Sequence, residues 1–186
     1  MQSNEFSRRK FLGVSAAVAG AGLAAKAFVL DPLPMFADSD TRVRFGIIGV
    51  GMQGSGLLSN SIQLPGVECI AACDLYDGRQ TLAKEIAGPN LFTTRRYQDL
   101  LNDKDIDCII AAVPDHWHKQ IVVDAVKAGK DVYCEKPMSH SAADGVEMVA
   151  AAQKSGRIVQ VGSQRVSSVI CAKPKELISQ GMIGDL

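Results

Sequence analysis

Aromatic residues make up only 5% of this 186-residue chain, and neither sign of charge is in excess, with 20 Lys and Arg against 20 Asp and Glu. Few aromatics mean few platforms for base stacking, and a formal net charge of zero supplies no basic face for a phosphate backbone, so nucleic acid is not expected as a partner. The five cysteines, at positions 69, 73, 108, 134 and 171, are odd in number and lack C-x-x-C spacing. Neither a disulfide framework nor a zinc site follows from them, and no metal site is expected. No unbroken apolar run reaches the ~20 residues that a membrane-spanning helix needs. What remains, 47% hydrophobic and 22% charged residues, is the profile of one globular domain with a core of useful size rather than a disordered or fibrous chain.

The small basic surplus sits at the start. Residues 1–37 hold Arg8, Arg9, Lys10 and Lys26 against Glu5 and Asp31, which leaves 16 basic and 18 acidic residues beyond them. Ser7-Arg8-Arg9-Lys10-Phe11-Leu12 opens a weakly apolar stretch that runs to Ala25 and is interrupted by Gly13, Gly20 and Gly22. This order of charged and apolar regions resembles a twin-arginine export signal, which implies the twin-arginine translocase as a partner and a periplasmic or otherwise exported location. Ala25-Lys26-Ala27 and the bond after Ala37 are both candidate cleavage sites, and an uncleaved signal would leave the protein membrane-associated. No cysteine precedes residue 69, so a lipoprotein signal is excluded. Asp31-Pro-Leu-Pro marks a linker.

Beyond residue 40 short apolar runs alternate with helical patterns. Val43–Val50, Val67–Cys73, Cys108–Val113, Val132–Cys134 and Ile158–Val161 read as strands, with Leu91–Thr94 a weaker one. Helices are expected near 53–63, 77–87, 97–102, 116–128 and 141–155. Nearly continuous apolar strands separated by helices predict a doubly wound α/β fold, its parallel sheet covered on both faces. Four of the cysteines fall in these strands or at their ends, where a thiol behaves as a small hydrophobe.

The first strand-to-helix turn reads Gly49-Val50-Gly51-Met52-Gln53-Gly54. A G-x-G-x-x-G pattern alone is weak evidence. Here it follows a strand, opens a helix, and is followed by Asp74 at the end of the next strand, 20 residues after Gly54, which together form a dinucleotide-binding fingerprint. Gly49 permits the tight turn, Gly51 lets backbone approach a pyrophosphate, and Gly54 allows the helix to pack closely on the strand. The helix N-terminus, with Met52 and Gln53 in its first turn, favours the phosphates. Asp74 can accept from both hydroxyls of the adenosine ribose and would repel a 2′-phosphate, so NAD is expected in preference to NADP. Arg79 could soften that preference.

Pro114-Asp115-His116-Trp117-His118 follows the fourth strand at the carboxyl edge of the sheet, where open α/β folds bind ligands. Asp115 is placed to cap the next helix. His116 and Trp117 either pack this turn or face a ligand, and the i, i+2 spacing of the two histidines argues against a shared metal. The fifth strand ends in Glu135-Lys136-Pro137.

Taken in order, GIIGVGMQGSG, the Cys73-Asp74 strand end, PDHWH, AGKDVYCEKP and VGSQR resemble the glucose-fructose oxidoreductase and inositol dehydrogenase family (Gfo/Idh/MocA) over about residues 42–186. The resemblance implies a Rossmann domain over 41–165 with strand order 3-2-1-4-5-6, bound NAD, and a cis bond before the proline of E-K-P. It implies that Lys136 lies by the nicotinamide and the substrate hydroxyl, that Glu135 positions the cofactor ribose, and that Pro114 and His118 belong to the cofactor site. Asp115 replaces the family's usual asparagine. A sugar, cyclitol or related polyol is the implied substrate, oxidised at a CH–OH group, and a homo-oligomer the implied assembly at full length. One branch resembling this family instead uses NAD transiently to hydrolyse glycosides, and nucleotide binding without catalysis is a third reading. Residues 166–186 are expected to be the truncated start of a second, substrate-binding domain.

Overall fold

The computed structural model describes residues 42–163, 168–182 and 184. The export signal and linker read over 1–37 lie outside the described residues. Six strands, β1 (Val43–Ile48), β2 (Val67–Cys73), β3 (Phe92–Thr94), β4 (Cys108–Ala111), β5 (Asp131–Glu135) and β6 (Val159–Gly162), form one sheet. Every pairing is parallel, in the order β3-β2-β1-β4-β5-β6, as expected. The helices are α1 (Met52–Ser61), α2 (Asp77–Ala87), α3 (Tyr97–Asn102), α4 (His118–Lys127), α5 (Ala142–Ser155) and α6 (Val169–Ser179). No helix among the described residues is long and apolar enough to cross a membrane.

Alternation along the strands sorts the core into two layers. Phe45, Ile47, Ala72 and Ile110 pack with Leu58 of α1 and Ala83 of α2 on one face. Ile48, Ala71, Cys73, Ile109, Ala111, Val132 and Cys134 pack with α3, α4 and Met148 of α5 on the other. The apolar runs are continuous because both faces are covered. Cys73 and Cys134 are buried and Cys69 and Cys108 half-buried. Burial pushes the thiols of Cys69, Cys73 and Cys134 up to about 12 and that of Cys108 to about 11, so these cysteines are protonated, inert packing groups.

Element ends depart from expectation where side-chain chemistry overrides the apolar pattern. β1 stops at Ile48 rather than Val50 because Gly49 turns the chain at φ 89°. β4 stops at Ala111, before Val113. The helix expected over 116–128 is divided into a 3₁₀ turn at Asp115–Trp117 and α4. Asp115 does not cap it: its Oδ1 accepts from the adjacent His116 N–H at 2.9 Å. Lys130, in the turn between α4 and β5, is buried and its Nζ donates to the carbonyls of Asp103 and Ile106. It thereby ties the start of β5 to the turn that feeds β4.

Candidate functional site: a cleft at the carboxyl edge of the sheet

Strand order reverses between β1 and β4, and the cleft of an open parallel sheet lies outside the carboxyl ends at such a point. A cavity of about 330 Å³ occupies that place, lined among others by Gly49, Gly51, Asp74, Leu75, Arg95, Tyr97, Val113, Pro114 and Trp117.

Three glycines shape one end for three separate reasons. Gly49 has φ 89°, and a Cβ there would overlap the Ala112 carbonyl oxygen; a Cβ on Gly54 would overlap the Gly49 carbonyl oxygen. Both are required by the protein itself. A Cβ on Gly51 would meet nothing within 4 Å, and φ −71° at this residue needs no glycine. The space above Gly51 is open, and Gly51 lines the cavity. Gly51 is the N-cap of α1, whose first turn has no side-chain cap and no acidic residue. Its N–H groups and the positive dipole end suit an anion. The cradle fits a pyrophosphate.

At the end of β2 the Asp74 carboxylate is held by two backbone donors, Val50 N–H to Oδ2 at 2.8 Å and Tyr76 N–H to Oδ1 at 2.9 Å. A carboxylate oxygen accepts more than one hydrogen bond, so Asp74 is oriented while keeping acceptor capacity for hydroxyl donors. Arg79 is not among the residues lining the cavity; Arg95, the residue directly after the last residue of β3, is. The RRY sequence at 95–97 follows a three-residue strand, which is why apolar periodicity gave no indication that it borders the cleft.

Side chains organise the neighbouring end of β5, whose residues Glu135 and Lys136, like Gln53 and His118, are not among those lining the cavity. Gln53 in the first turn of α1 donates from Nε2 to Glu135 Oε1 at 2.9 Å, and the Lys136 N–H donates to Glu135 Oε2 at 3.0 Å. The buried Glu135 carboxylate thus joins the glycine turn to the end of β5. The Lys136–Pro137 bond is cis, and the Lys136 side chain is exposed. The imidazole of His118 is buried, with Nδ1 2.7 Å from the Pro137 carbonyl oxygen and Nε2 2.9 Å from that of Val113. With a carbonyl oxygen against each ring nitrogen, His118 joins the β4 and β5 loops; of the two residues that the resemblance implies for the cofactor site, Pro114 lines the cavity and His118 does not. His140 adds a second tie between these loops, Nδ1 to Asp115 Oδ2 at 3.2 Å, which with His116 holds the Asp115 carboxyl below its usual range. His116 is exposed, and the 44% exposed Trp117 faces the cavity rather than the core. No group of three or more potential metal ligands occurs among the described residues.

A glycine cradle and an anchored carboxylate at the switch point of a parallel sheet are the parts of a dinucleotide-binding domain. The family profile described as "Oxidoreductase family, NAD-binding Rossmann fold" (GFO_IDH_MocA) matches residues 43–163, and the chain belongs to that family. Inositol 2-dehydrogenase of Salmonella typhimurium is 36% identical over 146 residues, covering 76% of this chain and 43% of that protein. Inositol 2-dehydrogenase/D-chiro-inositol 3-dehydrogenase of Lactiplantibacillus plantarum is 32% identical over 143 residues, 76% of this chain and 41% of its own. Among solved structures, myo-inositol 2-dehydrogenase from Lactobacillus plantarum superposes with TM-score 0.69 at 28% identity, covering 78% of this chain and 43% of that one. The WlbA dehydrogenase from Chromobacterium violaceum, solved with NADH and UDP-GlcNAcA, gives TM-score 0.68 at 25% identity over 77% and 41%. The chain spans less than half the length of these relatives.

Proposed function

We propose that this chain is the cofactor-binding part of an NAD-dependent dehydrogenase that oxidises one CH–OH group of a cyclitol or related polyol. The observation that carries the reading is the open cradle above Gly51 beside the anchored Asp74; the inositol dehydrogenases among its relatives support the substrate class. Bound NAD would supply the hydride acceptor. Gly51, Met52 and Gln53 present the first-turn backbone to the pyrophosphate, and Gly49 and Gly54 hold that turn against β1 and β4. Asp74 accepts from the adenosine ribose hydroxyls, and Pro114 bounds the cleft beside it. Glu135, through Gln53, keeps the end of β5 in register with the cradle. Lys136, in the role that the family resemblance implies, would receive the hydroxyl proton as the carbinol carbon becomes a carbonyl. His118 acts indirectly, by setting the Pro137 loop on which Lys136 rests.

The exported location is part of the same proposal, carried by the Arg8-Arg9 motif, as is a homo-oligomeric assembly of the whole enzyme, carried by the family resemblance. Calorimetric titration of the chain is the direct test: NAD is expected to bind more tightly than NADP, and the reverse order would remove the role given to Asp74. For export, replacing Arg8 and Arg9 with lysine should strand a fused reporter in the cytoplasm, and undiminished delivery would end that assignment.

A further inference from the structure

Beyond Asp74 the cavity wall carries a cation, Arg95. Its guanidinium grips Asp77, the first residue of α2: Nε donates to Oδ1 at 3.1 Å, and Nη2 lies 2.7 Å from both Oδ1 and Oδ2. The two side chains are 59% and 74% exposed, and an ion pair that open to water contributes little to stability. Holding the fold is therefore a weak account of it. Its position is more telling. Asp74 and Arg95 both line the cavity, and Asp77, which holds the guanidinium, lies three residues after Asp74 in the chain. The Nε/Nη2 edge taken by Asp77 is the fork with which an arginine receives a phosphate.

We propose that the Arg95–Asp77 pair is a specificity determinant of the adenosine subsite, in which Asp77 occupies the guanidinium edge that a 2′-phosphate would need. This rests on the reading of the cleft as an NAD site. Selectivity is then doubly set: Asp74 repels a 2′-phosphate directly, and Asp77 withholds the cation that would compensate for it. Released from Asp77, Arg95 becomes a phosphate receptor on the cavity wall.

The experiment compares NAD and NADP binding by calorimetry for the 186-residue chain, Asp77→Ala, Asp77→Asn and the double variant Asp77→Ala/Arg95→Ala, with a melting curve for each. The ratio of NADP to NAD dissociation constants should fall about tenfold in Asp77→Ala, the size of one charge-assisted hydrogen bond, and return to the parent value in the double variant. Should Asp77→Ala not fold, Asp77→Asn keeps the side-chain size and is expected to shift the ratio the same way. An unchanged ratio in a folded Asp77 variant, with NAD still binding the parent chain, overturns the pair's role and leaves the cofactor reading standing. Parent chain that binds neither nucleotide overturns both.

Discussion

The glycine turn and the neighbouring end of β5 are made by opposite means. Around Gly49, Gly51 and Gly54 the architecture depends on side chains that are absent, and the groups that matter are backbone carbonyls and N–H donors. From Val113 to His140 it depends on side chains that reach across loops: His118 to Pro137 and Val113, His140 to Asp115, Gln53 to Glu135. At Gly49 and Gly54 the backbone leaves no room for an added atom, while at Gly51 it does. A side-chain-built end can be loosened one contact at a time.

The sharpest test of this contrast sets two glycines against each other. Gly54→Ala drives a Cβ into the Gly49 carbonyl, where backbone cannot swing aside, and should cost ~3 kcal/mol or more, the upper range for overpacking, seen as loss of soluble folded protein. Gly51→Ala meets open space and should melt with the parent while binding NAD roughly 10- to 100-fold more weakly, the equivalent of one hydrogen bond to a charged group. Equal melting losses in the two variants would erase the distinction between a glycine the fold needs and one the ligand needs.

At the other end Lys136→Ala, measured in the active enzyme, should cut turnover by ~10²-fold or more, the range for lost acid–base catalysis, with NAD affinity little changed. Turnover within a factor of about three of the parent corresponds to less than ~1 kcal/mol of transition-state stabilisation, and would move the proton-accepting role to another residue. His118→Ala removes the bridge between the β4 and β5 loops and leaves a buried gap; a loss of about 2–3 kcal/mol in denaturant unfolding is expected. Retention of full stability would show that the two loops are held without it.

The smallest effect is electrostatic and lies away from the cleft. Lys119 of α4 pairs with Asp144 of α5 at 2.7 Å, and its ammonium, with Ser141 adding a hydrogen bond, holds the Asp144 carboxyl below the usual carboxylate range. A carboxyl lowered in the folded state binds fewer protons there than in the unfolded chain, so its contribution is present above the unfolded pKa. It is lost as pH falls through the folded one. Asp144→Asn should therefore leave melting curves at neutral pH slightly lowered and flatten their decline on acidification. An unchanged acid decline would remove this pair from the pH dependence of stability.

Legibility in the sequence followed the same division. The strand order came with the family resemblance, whereas the need for Gly49 and Gly54 and the position of Asp74 at the end of β2 could be read because backbone geometry forces a residue type at a fixed spacing. The E-K-P end could be read as a motif. The contacts that organise it could not, because Gln53 and Glu135 are 82 positions apart, Asp115 and His140 25, and Asp77 and Arg95 18, with no periodicity to join them. His118 is assigned to the cofactor site by the family resemblance alone; the two carbonyls against its ring show what it holds. Asp115 looked like a helix cap, but the chain first makes a 3₁₀ turn, and the carboxylate serves His116 and His140 instead.

Lys130 gives the fold a built-in chemical clock. An amine whose Nζ is committed to the Asp103 and Ile106 carbonyls cannot be acylated where it lies, whereas exposed lysines such as Lys104 and Lys127 react at the rate of the reagent. Labelling at Lys130 must wait for β5 to detach at its start. Its lag behind the surface amines measures how often β5 opens at its start.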